Sequence, residues 1–160
     1  DKVKNKLILS LARNSGASGM VLGQALDIDA ETSQKELKIN EISKIQEYKT
    51  GKLISWSCEV GPIIAEENTE PFSLYAAKIG LAFQIIDDIL DVTSSSKTLG
   101  KNVGKDMDKN KATFVSKLGL DNSKKKALEL VAEACEVISV FKDRSRNLNQ
   151  IANFIVSRQF

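Results

Sequence analysis

Phe83-Gln84-Ile85-Ile86-Asp87-Asp88-Ile89-Leu90-Asp91 decides the reading of this chain. Three aspartates and a glutamine interrupt its most apolar helical stretch, which starts near Pro71 and runs through Leu74, Tyr75, Leu81 and Ile85 to about Val92. A helix that is apolar nearly all round is a buried one. At helical spacing Gln84, Asp87, Asp88 and Asp91 share one face. Asp87 and Asp91 stack like charges four residues apart, which costs a helix a few tenths of a kcal/mol. Burying them unpaired costs several kcal/mol more. A divalent cation relieves both costs. Hard carboxylate oxygens, open on one side to water and phosphate oxygens, describe a Mg²⁺ site shared with a substrate. The competing reading is a solvated polar face on an amphipathic helix, which the apolar run Ile79 to Ile86 disfavours.

Outward from this helix, the sequence reads as helices throughout. Val3 to Arg13 carries Val3, Leu7 and Leu11 four apart, and Met20 to Leu26 follows two glycines. Ala30 to Lys38 is polar and reads as a loop. Asn40 is a good N-cap for a helix with its stripe at Ile42, Ile45, Leu53 and Ile54, running to Ala65 with a kink expected at Gly61-Pro62. Ser94-Ser95-Ser96 is expected to end the aspartate helix. Residues 112–118 suit a short helix stopped by Gly119. Asp121 and Asn147 suit the caps of two more, the first to about Phe141. Two prolines and few β-branched alternations argue against sheets, so the fold class is all-α.

The 160 residues, 42% hydrophobic and 28% charged, hold enough apolar material for a core. A net charge of +2 excludes a large nucleic-acid-binding surface. No histidine is present, which excludes serine–histidine and cysteine–histidine catalysis and histidine-ligated zinc. Cys58 and Cys135 give neither a disulfide framework nor a CxxC pattern, which fits a reducing, cytoplasmic compartment. The longest uncharged run, Asn14 to Leu26, is too short to span a bilayer. The chain begins without methionine, inside an apparent helix, and reads as a fragment or processed product.

Three further features carry chemistry. After the aspartate helix comes a glycine- and lysine-rich stretch with Lys101, Lys105, Asp106, Lys109 and Lys111. Folded back, its ammonium groups join the cation at the aspartates in neutralising a diphosphate; by itself it reads as a solvated basic loop. Gly51, in Tyr48-Lys49-Thr50-Gly51, costs about 1 kcal/mol relative to Ala mid-helix, a cost that close approach of another helix or a ligand would explain. Gly23-Gln24-Ala25-Leu26-Asp27 puts Gln24 and Asp27 on one face.

Taken in order, Gly19-Met20…Gly23-Gln24…Asp27, Lys49-Thr50-Gly51, Phe83-Gln84…Asp87-Asp88…Asp91 and Leu99-Gly100-Lys101…Gly104-Lys105-Asp106…Lys111-Ala112-Thr113 resemble the trans-prenyltransferases of the polyprenyl synthetase family, with similarity to bacterial farnesyl and geranylgeranyl diphosphate synthases. The Asp-Asp-x-x-Asp element is similar to the family's second aspartate-rich motif. The resemblance implies an isoprenoid-synthase-type helical bundle, of which residues 1–160 form the carboxy-terminal half of one domain, and a cytoplasmic homodimer at full length. It implies a short-chain prenyl diphosphate synthase, a transferase joining an allylic diphosphate head to tail with isopentenyl diphosphate. Three Mg²⁺ ions are implied, held at Asp87, Asp88 and Asp91. Lys49, Thr50 and Asp87 take the catalytic roles. Gln24, Asp27, Lys49, Thr50, Gln84, Lys101, Asp106 and Lys111 take substrate binding, with Gln24 and Asp27 lining the cavity. Arg158 corresponds loosely to a carboxy-terminal basic residue of the family. The family's first aspartate-rich motif has no counterpart here, so the fragment alone is expected to be inactive. The alternatives are a non-catalytic or regulatory family member and a helical interaction module. Nucleic-acid binding and membrane insertion are not expected.

Overall fold

The helical periodicities resolve into α1 (Lys2–Ser15), α2 (Met20–Thr32), α3 (Ile39–Gln46), α4 (Lys52–Ile64), α5 (Glu70–Thr98), α6 (Phe114–Leu118), α7 (Leu120–Ile138) and α8 (Arg146–Ser157). A π-helical turn, Glu47–Gly51, joins α3 to α4, and a 3₁₀ segment, Ser139–Ser145, joins α7 to α8. This computed structural model describes residues 1–33, 36–98 and 112–158, the side chains of 94–98 excepted. Among the described residues no strand occurs, as the sequence predicts.

The aspartate helix is central because its sequence offers no face that prefers water. From Lys78 to Leu90 no α5 residue is exposed. Tyr75, Ile79, Ala82, Ile86 and Ile89 recur at helical spacing and bury against Ala127, Leu130, Val131, Ala134 and Ile138 of α7, with Ala152 and Ile155 of α8 closing the same core. The alanines at 82, 127 and 134, all without exposed area, let the two long helices approach closely. Ile42 of α3 and Phe114 of α6 complete the core. The Tyr75 hydroxyl donates to the Leu148 carbonyl at 2.7 Å, so the most buried phenol is satisfied and ties α5 to α8.

Several expected boundaries move, each for a local reason. α2 runs on to Thr32 through residues expected in a loop. The next helix starts at Ile39 rather than after Asn40, because the Glu41 carboxylate reaches back to accept from the Lys38 N–H at 2.9 Å. α4 runs through Pro62 to Ile64, and the proline in its last turn sacrifices one hydrogen bond near the helix end. α5 passes the serines and ends at Thr98. α7 starts at Leu120 and α8 at Arg146, ahead of the expected caps Asp121 and Asn147. No α1 residue is buried: Leu11 of the expected stripe is 38% exposed and its neighbour Ile8 67%.

Gly119 separates α6 from α7 at φ 78°, ψ 162°, a region that only glycine occupies freely. A Cβ there would meet nothing within 4 Å, so the strain of a substitution is purely conformational. Gly119→Ala is therefore expected to cost roughly 1–3 kcal/mol in urea denaturation, without a packing defect. An unchanged midpoint would contradict the backbone assignment.

Candidate active site

The face of α5 read from the sequence as a polar cluster opens onto a cleft of about 110 Å³. Gln84, Asp88 and Asp91 line it from α5, Asp27 and Glu31 from α2, and Lys49 from the π-turn. Opposite charges from two elements meet here: Lys49 Nζ lies 2.5 Å from Asp27 Oδ2, with Asp27 the more buried partner. This ion pair fixes an ammonium group in the same cleft as the α5 carboxylates.

The π-turn is the local device behind that placement. A π-turn closes i→i+5 and widens the helix by one residue, a feature that recurs at functional sites. It contains Lys49 and Thr50, both half-buried, and the fully packed Gly51. The bare Gly51 has the explanation its sequence position asked for. α5 crosses it at Gly80, where an added Cβ would stand 3.5 Å from Gly51 Cα. The approach is therefore helix on helix.

The three aspartates differ in environment. Asp88 is 8% exposed. Its Oδ1 accepts from the Gln84 amide at 3.0 Å and its Oδ2 accepts from the Phe114 backbone N–H at 2.9 Å. That N–H is one of the groups a helix start cannot satisfy internally, and the Thr113–Ser116 capping pair provides for others. Asp87 is half-exposed and pairs with Arg158, whose Nη2 lies 2.9 Å from Oδ1 and whose guanidinium stacks 4.4 Å from the centre of the Phe83 ring. Burial pushes the Asp87 carboxyl above its ordinary pKa; Arg158 pulls it back and the like charge of Asp91 adds to the rise. Asp91 is exposed and lines the cleft. In the metal-free protein, Arg158→Ala is thus expected to move the Asp87 carboxyl further upward, as read by carboxyl-carbon NMR titration. A downward move would contradict the pairing.

The donor set fits Mg²⁺. The carboxylates offer the oxygen donors Mg²⁺ takes, but among the described residues no three or more Asp, Glu, His or Cys side chains are placed to hold a metal ion by themselves. Mg²⁺ characteristically takes one or two carboxylates and fills its remaining positions with water and phosphate oxygens. Asp87 and Asp91, four residues apart on one face, with the like charge of Asp91 adding to the cost of ionising Asp87, suit that role.

Of the residues singled out in the sequence, Asp27, Lys49, Gln84, Asp88 and Asp91 come together in the cleft, and Asp87 stands on the adjoining turn. Gln24 is exposed and Thr50 half-buried, and neither lines the cleft. Lys101, Asp106 and Lys111 lie outside the described residues. Sequence reasoning missed Gln46, one turn before Lys49, which lines the cleft and whose Oε1 is buried without a hydrogen-bond partner among the described residues. Its i, i+3 spacing to Lys49 was the available signal. Gln46 also borders a larger open cavity of about 1030 Å³, walled by Tyr48, Leu81, Ile85 and Phe114 among others.

Comparison with known proteins decides what this arrangement belongs to. The polyprenyl synthetase family model matches residues 2–151. The chain belongs to that family. It is 40% identical over 156 residues to a geranylgeranyl diphosphate synthase of Cyanophora paradoxa, covering 96% of this chain and 52% of the relative. An FPP/GFPP synthase from Zymomonas mobilis superposes with a TM-score of 0.84 at 38% identity, covering 96% of this chain and 51% of that one. A geranyltransferase from Helicobacter pylori, solved with magnesium and isoprenyl diphosphate, superposes with a TM-score of 0.76 at 31% identity, covering 98% and 52%. The polyprenyl synthetase chain described here thus spans about half the length of the relatives it matches.

Proposed function

We propose that this chain carries the diphosphate-handling half of a short-chain prenyl diphosphate synthase, an Mg²⁺-dependent transferase that joins an allylic diphosphate head to tail with isopentenyl diphosphate. One observation carries the reading. The Lys49 ammonium, held by Asp27, shares a cleft with Gln84, Asp88 and Asp91 of a buried helix. The family supports it, as does the H. pylori neighbour bound to magnesium and isoprenyl diphosphate.

Asp87, Asp88 and Asp91 are the residues that would hold Mg²⁺, three ions per site by analogy with the family. Bound there, Mg²⁺ supplies charge neutralisation to the departing diphosphate. Lys49 donates to diphosphate oxygens from the other side of the cleft, and by analogy with the family Thr50, next to it in the π-turn though not lining the cleft, would present its dipole to the allylic carbon as it becomes cationic. Gln84 orients Asp88. The apolar wall at Leu81, Ile85 and Phe114 takes the hydrocarbon and keeps water from a cation it would capture. By analogy with the family, Lys101, Asp106 and Lys111, which lie outside the described residues, bind the diphosphate in this reading, and Gln24 belongs to the outer rim. A cytoplasmic homodimer is the assembly it implies. No helix among the described residues is long and apolar enough to cross a membrane.

Isothermal titration of the chain with geranyl diphosphate tests the proposal. Binding should require Mg²⁺ and vanish in EDTA. Product should form from geranyl and isopentenyl diphosphates when the chain is mixed with the complementary half of a family member. Polyanion binding that persists unchanged in EDTA would instead identify a helical interaction module with a basic loop.

A further inference from the structure

We infer that Gly23 is a positioning residue for Lys49: its missing side chain seats α2 backbone-on-backbone against the π-turn, and that seat sets where the Lys49 ammonium stands. Gly23 is the only described α2 residue that is buried. A Cβ built on it would fall 2.1 Å from Lys49 N, 2.5 Å from Lys49 Cα and 2.6 Å from the Tyr48 carbonyl carbon. All three obstacles are main chain, so no rotamer change can relieve them. Any side chain at position 23 must push α2 and the π-turn apart.

That displacement acts on one ion pair. Asp27 lies one turn beyond Gly23 on α2, and it holds Lys49 Nζ at 2.5 Å. The two contacts share both elements: Gly23 fixes the backbone separation and Asp27 fixes the side chain across it. A shift of an ångström between α2 and the π-turn misplaces the ammonium relative to Gln84, Asp88 and Asp91. Misplacement on that scale can cost about 100-fold where a group acts on a substrate.

Gly80 supplies the internal control. It faces the same π-turn from α5, but its added Cβ would meet Gly51 Cα at 3.5 Å and Ile54 Cδ1 at 3.6 Å, ordinary contact distances. Both glycines sit inside helices, where Ala is intrinsically better by about 1 kcal/mol. Propensity alone therefore gives the same sign at both sites, and only the main-chain contact separates them. The consequence for binding rests on the function proposed above; the contact itself does not.

The experiment has two arms on the labelled chain. In the first, wild-type protein should show a strong nuclear Overhauser effect between Gly23 Hα and the Lys49 amide. Gly23→Ala should move the amide resonances of residues 48–50, and Gly80→Ala should leave them within ordinary scatter. In the second, Gly23→Ala should weaken Mg²⁺-dependent geranyl diphosphate binding at least tenfold, and Gly80→Ala less than twofold. Adding Gly23→Ala to Lys49→Ala should change affinity less than twofold, because the residue acts through Lys49. A full additional tenfold loss in that background would show a general structural defect and overturn the positioning role. Unmoved resonances in Gly23→Ala, or wild-type affinity, would overturn it as well. If Gly23→Ala does not fold, the wild-type Overhauser effect still decides, since its absence removes the contact. If wild-type protein binds no geranyl diphosphate, the proposed function fails while the first arm still judges Gly23.

Discussion

Asp87→Ala is expected to lower Mg²⁺-dependent affinity for an allylic diphosphate, and turnover wherever the condensation is assayed, by about 100-fold or more, close to 2.7 kcal/mol. The fold should survive. Asp87 is half-exposed and its pairing with Arg158 is of the kind worth roughly 0–1 kcal/mol. Burial already penalises its charged form, so truncation removes a cost along with a contact. What disappears is the carboxylate that stands beside Asp91 with its outer side open. Arg158→Ala is the matching control: it deletes the partner and keeps the oxygens, so the metal-dependent affinity should change far less. Asp91→Ala should fall between the two, since its exposed carboxylate is suited to act through water. Near-wild-type affinity of Asp87→Ala at saturating Mg²⁺ would sink the metal assignment, whatever its thermal midpoint.

The aspartate helix was legible from sequence because its evidence was redundant. Leu81, Ile85 and Ile89 leave no wet face, so a buried helix was forced, and aspartates on such a helix demanded a partner. The helix starts were less legible. Asn40, Asp121 and Asn147 are good caps by residue type, yet each falls one or two positions inside its helix. A carboxylate reaching back from Glu41 and the backbone freedom of Gly119 settled two of these boundaries instead. Residue preference at a cap is worth about 1 kcal/mol, and neighbouring geometry of similar worth can override it.

The site was legible as a set of residues but not as an arrangement. Lys49-Thr50-Gly51 suggested a close approach at Gly51, and Gly80 supplies it. Nothing in Glu47 to Gly51 signals a π-turn; the turn is packed between α2 and α5, contacts that its own five residues do not announce. The Asp27–Lys49 pair spans 22 residues and two elements, which spacing rules within one helix cannot see. Arg158 was matched only loosely from sequence; its contacts with Asp87 and Phe83 depend on α8 folding back along α5.

Asp88→Ala is expected to be the more destabilising of the two motif truncations, and Asp88→Asn separates its duties. The buried Asp88 carboxylate holds two donors at once, the Gln84 amide and the Phe114 N–H. Alanine would strand a buried backbone donor at the start of α6 and loosen Phe114, itself only 2% exposed, from the core. Such a loss costs roughly 1–3 kcal/mol. Asparagine is nearly isosteric. Its carbonyl oxygen can still accept from Phe114, and its amide can donate to Gln84 once that side chain turns its own oxygen inward. The network then survives with one charge fewer. Asp88→Asn should therefore denature close to wild type in urea, while Asp88→Ala unfolds at clearly lower denaturant. If Asp88 also serves the cation, Asp88→Asn should weaken Mg²⁺-dependent geranyl diphosphate binding despite its intact fold. Wild-type affinity in Asp88→Asn would instead confine Asp88 to anchoring α6 against α5. The cation would then fall to Asp87 and Asp91, the pair whose like charges stack four residues apart.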